Sequence, residues 1–262
     1  MPKTRIDGGE IHYEISGTGE CLIFVSGLGG VGRYWAPQIP VFSEHFRVIT
    51  YDQRGTGESD KTQREFSLDA MAGELAALMD ALDVPRAHIV GLSTGGAIGQ
   101  TLAIERPERV NRLAMCSTWT HCDPWFRRLF EARRVMYATA GSELHGMFHP
   151  LWLYPPDYVN AHDDYIEAER VRATDTAPPV EVSIGRIDAL MRFDRRADLA
   201  RIKAPTLIIA SDNDYITPAY YAKALMESIP GAKLEIVHGG GHSISKTRPD
   251  VFNPMVLSFL LD

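Results

Sequence analysis

Ser93 stands in Gly91-Leu92-Ser93-Thr94-Gly95-Gly96, with glycine two residues to either side. An apolar run precedes it and a helix-period segment follows, so the serine falls on a sharp strand-to-helix turn. At such a turn the serine backbone is held in strain, and the glycines let strand and helix approach without a Cβ clash. The Oγ then projects above the carboxyl end of the sheet, where open parallel sheets bind ligands. Thr94, opening the helix, can turn its backbone N–H toward a developing oxyanion. A serine becomes a nucleophile only beside a base. His242 supplies one: in His238-Gly-Gly-Gly-His242 a glycine loop can carry the imidazole over the sheet edge. An acid must orient that imidazole, and Ser211-Asp212-Asn213-Asp214 offers two. Asp214 is preferred, because Pro218 four residues on can start the next helix. Asp212, the alternative, suits a turn brace. Serine, acid and histidine in this arrangement perform nucleophilic acyl transfer.

The elements that must position these residues are legible as short apolar runs alternating with helix-period segments, the pattern of a mostly parallel sheet covered by helices. Ile11 to Ile15 alternates at period two and reads as an outer strand. Cys21 to Ser26, Phe46 to Tyr51, Ala87 to Leu92 and Val110 to Cys116 read as buried strands. Leu68 to Leu82, capped by Ser67, and Thr94 to Arg106 read as helices. After Ser117 the alternation stops. From Trp119 to Arg186 there is no clear strand; aromatics, histidines and prolines dominate, with helical stretches such as Pro124 to Tyr137. Strand and helix resume with Pro205 to Ser211, Pro218 to Ile229, Lys233 to His238 and Pro249 to Leu261. The chain is thus a doubly wound core with one helical insertion, a cap or lid.

Other chemistries fit less well. Gly27-Leu-Gly29-Gly-Val-Gly32 follows a strand and has Asp52 twenty residues on, which matches a dinucleotide fingerprint. However, Pro37 and Pro40 interrupt the helix that would open at Gly32, and Asp52 runs straight into a glycine-rich turn. That reading also leaves Ser93, Asp214 and His242 without a role. His238 and His242 are four apart but separated by three glycines, so they form no rigid metal-binding face, and neither metal nor cofactor is expected. A net charge of −7 argues against nucleic acid or an anionic membrane as partner. No apolar run approaches the roughly 18 residues of a membrane span, and the amino terminus lacks the apolar stretch of a signal peptide. Cys21, Cys116 and Cys122 form no spaced framework, which fits a reducing cytoplasm.

Gly91 to Gly95, Asp214 and His242 resemble the triad of the α/β-hydrolase fold superfamily, and the likeness runs over nearly the whole chain. Asp52-Gln-Arg-Gly-Thr-Gly-Glu-Ser59 is similar to that superfamily's D-x-R-G-x-G-x-S turn. Ser26-Gly-Leu-Gly-Gly30 occupies the place of its His-Gly-x oxyanion loop, with Ser26 where histidine is commonest. The resemblance implies an eight-stranded, mostly parallel sheet with helices on both faces and a helical cap inserted after the sixth strand. Residues 1–118 and 187–262 would form the core and 119–186 the cap. It also implies that Leu28 N–H is the second oxyanion donor beside Thr94. Within the superfamily, Tyr34-Trp35, Tyr51 to Gly57 and Leu153-Tyr-Pro155 are most similar to the aminoacrylate hydrolases, in a branch shared with 3-oxoadipate enol-lactonases. That subgroup often lacks serine at the nucleophile position, whereas this chain has Ser93. The expected reaction is hydrolysis of a small ester, lactone or amide-like substrate, polar and carboxylated, by a monomer or homodimer. The same triad also serves carbon–carbon hydrolases, which usually carry asparagine where Leu92 stands, and the fold hosts non-catalytic ligand-binding proteins. In the cap, Trp119, Trp125, Trp152 and Tyr154 are the candidate apolar wall, and Arg128 or Arg186 the candidate partner of a substrate carboxylate.

Overall fold

Strands whose two faces are both apolar can be stable only when helices cover each side. The computed structural model, which describes residues 2–6, 8–62 and 66–262, resolves this demand with one eight-stranded sheet. The strands are β1 (Lys3–Ile6), β2 (Gly9–Ser16), β3 (Cys21–Val25), β4 (Arg47–Tyr51), β5 (Ala87–Leu92), β6 (Val110–Cys116), β7 (Thr206–Ser211) and β8 (Lys233–Val237). Their spatial order is β1-β2-β4-β3-β5-β6-β7-β8. The two edge pairings β1–β2 and β2–β4 are antiparallel, and the remainder is parallel. β1 is the strand the sequence pattern does not reveal: its four residues, KTRI, are mostly polar and gain their order by pairing with β2.

Side-chain alternation along the central strands feeds two cores. Ile23 and Val25 of β3, with Ile208 and Ala210 of β7, pack on one face beneath α2 (Leu68–Ala81), α3 (Thr94–Glu105) and α8 (Ala219–Ser228). Leu22, Phe24, Leu207 and Ile209 pack on the other against Trp35, Phe42 of α1 (Ile39–Phe42) and Phe252 and Val256 of α10 (Pro249–Leu261). Trp35 stacks on Phe24 with centroids 4.6 Å apart. Ser67 caps α2 by accepting from the Ala70 N–H, as its position before the apolar-periodic run predicts.

The insertion between β6 and β7 holds α4 (Pro124–Leu153), α5 (Pro156–Ala161), α6 (Asp163–Asp175) and α7 (Val180–Arg192). α4 is two helices joined at Gly141, whose φ of 68° breaks the helical path. The helical stretch expected over Pro124 to Tyr137 is therefore only its first part. α7 does not stop at Arg186, where the cap was expected to end; its amphipathic pattern carries it to Arg192. A bridge between His121 and Asp194 closes the base of the insertion. Among the described residues, no helix is long and apolar enough to cross a membrane.

The glycine-rich segment after β3 opens no phosphate-binding helix. Gly32–Trp35 forms one 3₁₀ turn and α1 is four residues long, the prolines limiting both. Asp52 is consumed by the fold: its carboxylate accepts from Gly32 N–H and Glu58 N–H, each at 2.8 Å, and meets His12 Nδ1 at 3.1 Å. Asp52→Ala would strand these donors, and a loss of about 2–4 kcal/mol is expected in denaturant unfolding.

Candidate active site

The turn from β5 to α3 places Ser93 at φ 54°, ψ −116°, outside the ordinary regions for a side-chain-bearing residue. Backbone bonds hold it there: Ser93 N–H donates to Cys116 O at 2.8 Å, and Ser93 O accepts from Thr118 Oγ1 at 2.8 Å and Ala97 N–H at 3.1 Å. A Cβ on Gly95 would sit 2.0 Å from Val25 O, and one on Gly91 2.3 Å from Gly95 O. Only glycine permits so close an approach. Ser93 is 6% exposed and borders a cavity of about 190 Å³ that His242 also lines. Among the described residues no hydrogen bond joins the two side chains. Such contacts often tighten only when substrate binds.

The acid side is tightly organised. Asp214, buried at the end of β7, accepts from Ile216 N–H at 2.8 Å, Thr217 N–H at 2.9 Å and Thr217 Oγ1 at 2.9 Å. His242 Nδ1 lies 2.8 Å from Asp214 Oδ2 and 3.1 Å from Oδ1. This pairing leaves Nε2 as the ring nitrogen directed elsewhere. Asp212 takes a different partner, binding exposed His238 and the Gly239 N–H. The backbone N–H and the imidazole hold its carboxyl below the usual carboxylate range, a bond set that braces the loop carrying His242. Asn213 helps, accepting from Gly241 N–H at 2.9 Å.

Thr94 is the first residue of α3, so its N–H has no intrahelical acceptor. Leu28 lies across the cavity in the turn Gly27–Gly30, which closes through Gly30 N–H to Gly27 O at 2.9 Å. A Cβ on Gly27 would touch the Ser93 Cβ at 3.4 Å, so this turn passes directly over the serine.

The expected cap contacts are distributed differently. Of six residues, Tyr154 alone borders the Ser93 cavity. Trp119 is fully buried against Phe126, 4.5 Å between centroids, and packs the cap on the core. Trp125, 44% exposed, donates to Tyr215 O away from the cavity. Arg128 is exposed. Trp152 covers the Arg133 guanidinium at 4.9 Å. Arg186 reaches an adjoining cavity of about 150 Å³, but Nε, Nη1 and Nη2 each donate to protein oxygens.

Arg133, which periodicity on α4 did not single out, borders both cavities. It is 3% exposed and has no acidic partner among the described residues. Its guanidinium lies 4.8 Å from the Phe130 ring centroid and 4.9 Å from that of Trp152, and Nε donates to His145 Nε2 at 3.3 Å. Burial lowers Arg133 to about 10, which leaves it charged at neutral pH. The adjoining cavity has Arg33, Arg133 and Arg186 on its walls and no aspartate or glutamate among its described lining. Lys246, beside Glu169, lies over the Tyr34 ring at 4.9 Å. Its ammonium is lowered by burial against the opposing pull of Glu169.

An α/β sheet with a serine at a strained strand-to-helix turn, a buried Asp–His pair and a helical cap defines a class, and comparison with known proteins assigns the chain to it. The profile of the alpha/beta hydrolase fold family matches residues 20–249. RutD of Caulobacter sp. (strain K31), provisionally named a carbamate hydrolase, is 37% identical over 99% of this chain and 98% of its own. The crystal structure of the enol-lactonase from Burkholderia xenovorans LB400 superposes with a TM-score of 0.93 at 28% identity, covering both chains completely. A hydrolase from Pseudomonas aeruginosa PA01 gives 0.90 at 31% identity over 99% of this chain and 97% of that one. The chain belongs to the α/β-hydrolase fold family and is a hydrolase.

Two cap histidines tie stability to pH. His145 and His149 are lowered by burial first and by Arg133 second, His149 to about 3. A neutral His145 is also what accepting from Arg133 requires. In the unfolded chain both take up a proton near pH 6.5. Below that value the unfolded state binds more protons, so stability is lost as pH falls from about 6.5 toward about 3. Thermal unfolding should show a steeper loss between pH 7 and 5 for the wild type than for His149→Asn. Equal slopes would refute the assignment for His149.

Proposed function

We propose that this hydrolase cleaves a small carboxylic ester, lactone or amide-like substrate through Ser93, His242 and Asp214, by way of an acyl-enzyme. The observation that carries the reading is the buried Asp214–His242 pair, bonded at 2.8 Å, whose His242 lines one cavity with a strained Ser93. Ser93 Oγ attacks the acyl carbon as His242 Nε2 takes its proton. Asp214 keeps Nδ1 protonated and stabilises the imidazolium that forms. The negative charge on the former carbonyl oxygen is met by Leu28 and Thr94 N–H, each worth on the order of 10²–10³ in rate. His242 then gives its proton to the leaving oxygen or nitrogen, whose bond to the acyl carbon breaks. Water, deprotonated by the same imidazole, attacks the acyl-enzyme and releases the acid and Ser93.

The volume argues for a small substrate, since about 190 Å³ falls below the roughly 300–1,000 Å³ of pockets for drug-sized ligands. Arg133 is suited to the carboxylate for which Arg128 and Arg186 were candidates. With Nε on His145 and the guanidinium against the Phe130 and Trp152 rings, its terminal nitrogens form the edge that can bind a carboxylate in two parallel bonds. The names of the relatives add carbamates and enol-lactones to the substrates worth testing.

Ser93→Ala should abolish nearly all turnover on a panel of small esters, lactones, amides and carbamates with its melting temperature retained. More than a few per cent residual activity would sink the reading. Asp214→Asn should lose orders of magnitude and Asp212→Asn little. Arg133→Gln should raise KM roughly ten- to hundredfold for a carboxylated ester and leave its neutral counterpart nearly unchanged; equal effects on both would remove Arg133 from recognition.

A further inference from the structure

Arg186 is a buried cation with no carboxylate in salt-bridge reach among the described residues. It is 1% exposed, and its hydrogen bonds among the described residues all end on uncharged oxygens. Nη2 donates to Leu28 O at 3.0 Å and to Gln53 Oε1 at 2.6 Å, Nε reaches Leu28 O at 3.3 Å, and Nη1 donates to Arg54 O at 3.1 Å. Burial disfavours the Arg186 cation and the pull of Glu74 offsets this only in part, so an apolar side chain of similar volume would fill the space at lower cost. What the charge gains is a grip on one loop.

That loop is the turn Gly27–Gly30 over Ser93. Gly27 O and Leu28 N–H belong to one peptide unit and point in opposite directions across it. Gly30 N–H holds Gly27 O, which sets the plane of that unit. Arg186 holds Leu28 O, which sets the plane of the next. Leu28 is therefore pinned on both sides, and its N–H direction follows. The start of the loop is tied to the same guanidinium through Gln53, whose Nε2 donates to Ser26 O at 2.7 Å while its Oε1 accepts from Arg186. The turn is also shaped around the arginine. Gly30 adopts φ 69°, and a Cβ there would lie 3.0 Å from Arg186 Nη2 and 2.7 Å from Thr56 Oγ1.

Arg186 comes from α7, a cap helix, yet everything it grips lies in the core. We propose that Arg186 is a positioning residue for the oxyanion hole: by holding Leu28 O and Gln53 from the cap, it aims the Leu28 N–H at the oxygen of the tetrahedral intermediate. The cap is then part of the catalytic apparatus as well as a wall around the substrate, and the hole is complete only while α7 is seated. This inference rests on the hydrolase reading of Ser93 given above.

A positioning role predicts loss in the transition state and little in substrate binding. Arg186→Met should lower kcat on p-nitrophenyl acetate about 10- to 100-fold with KM within about threefold. Butylboronic acid, which forms a tetrahedral adduct on the serine, should bind more weakly by a similar factor. Arg186→Lys keeps the charge and should recover part of both losses. It carries the same test if the methionine variant does not fold. A raised KM with unchanged kcat would make Arg186 a substrate contact and overturn the proposal. So would activity lost only in proportion to folded protein, with boronate affinity intact. Ser93→Ala separates the two readings: if it still turns over substrate, the hydrolase assignment of Ser93 falls. If it is inactive while the Arg186 variants keep full boronate affinity, only the present inference falls.

Discussion

The conformation of Ser93 is the constraint on which the rest depends. A residue with a side chain held at φ 54°, ψ −116° stores about 1–3 kcal/mol of strain, which persists only where the surroundings over-determine it. Here the surroundings are buried almost throughout. Every residue of β5 is buried, and so are the first eleven of α3. The serine cannot relax without pulling a strand out of the middle of the sheet or a helix off its face. That rigidity explains the layout around it. The strand termini that carry Ser93 and Asp214, and the loop after β8 that carries His242, leave the sheet at one edge because their strands run parallel.

Around this fixed point the cap supplies a different kind of constraint, an electrostatic one. The protein is acidic overall, yet the space beside Ser93 is bounded by Arg133, Arg33 and Lys246, with Glu169 the acid among them. Arg133 and Arg186 are both buried on cap helices with no carboxylate bonded to them among the described residues, but they solve the desolvation problem in opposite ways. Arg186 turns Nε, Nη1 and both Nη2 hydrogens to oxygens of the fold. Arg133 lies against the rings of Phe130 and Trp152 and, among the described residues, is hydrogen-bonded through Nε alone, so its outer edge remains for a ligand. Two arginines of equal burial thus have separate roles, and only their hydrogen bonds distinguish them.

Much of the core was legible because its signals are local. Parallel strands buried on both faces read as apolar runs, and β3 to β8 appear in the sequence within a residue or two of their observed limits. The strand-to-helix turn at Ser93 needs glycine at fixed offsets, a pattern visible without coordinates. Short polar β1 carried no such pattern. The cap was harder still: its helices pack by long aromatic and arginine side chains, whose direction is set by distant partners. Hence Trp119 and Trp152, which composition alone made candidates for a substrate wall, serve packing and Arg133 respectively.

The sequence by itself determined the class of fold and singled out Ser93, His242 and an acid between them in chain order as candidates, because backbone geometry at a tight turn permits few residue types. It offered Asp212 and Asp214 as the acid and preferred Asp214 from its spacing to Pro218. Tertiary structure decided between their partners: Asp214 points inward to His242 and three donors, Asp212 outward to His238. Two residues apart on one loop, the carboxylates differ only in which side of it they face, and that is set by packing against β8 and the glycine loop beyond it. Which cap arginine faces the cavity was likewise beyond local reading, since helix period says which face is apolar and not what stands opposite it.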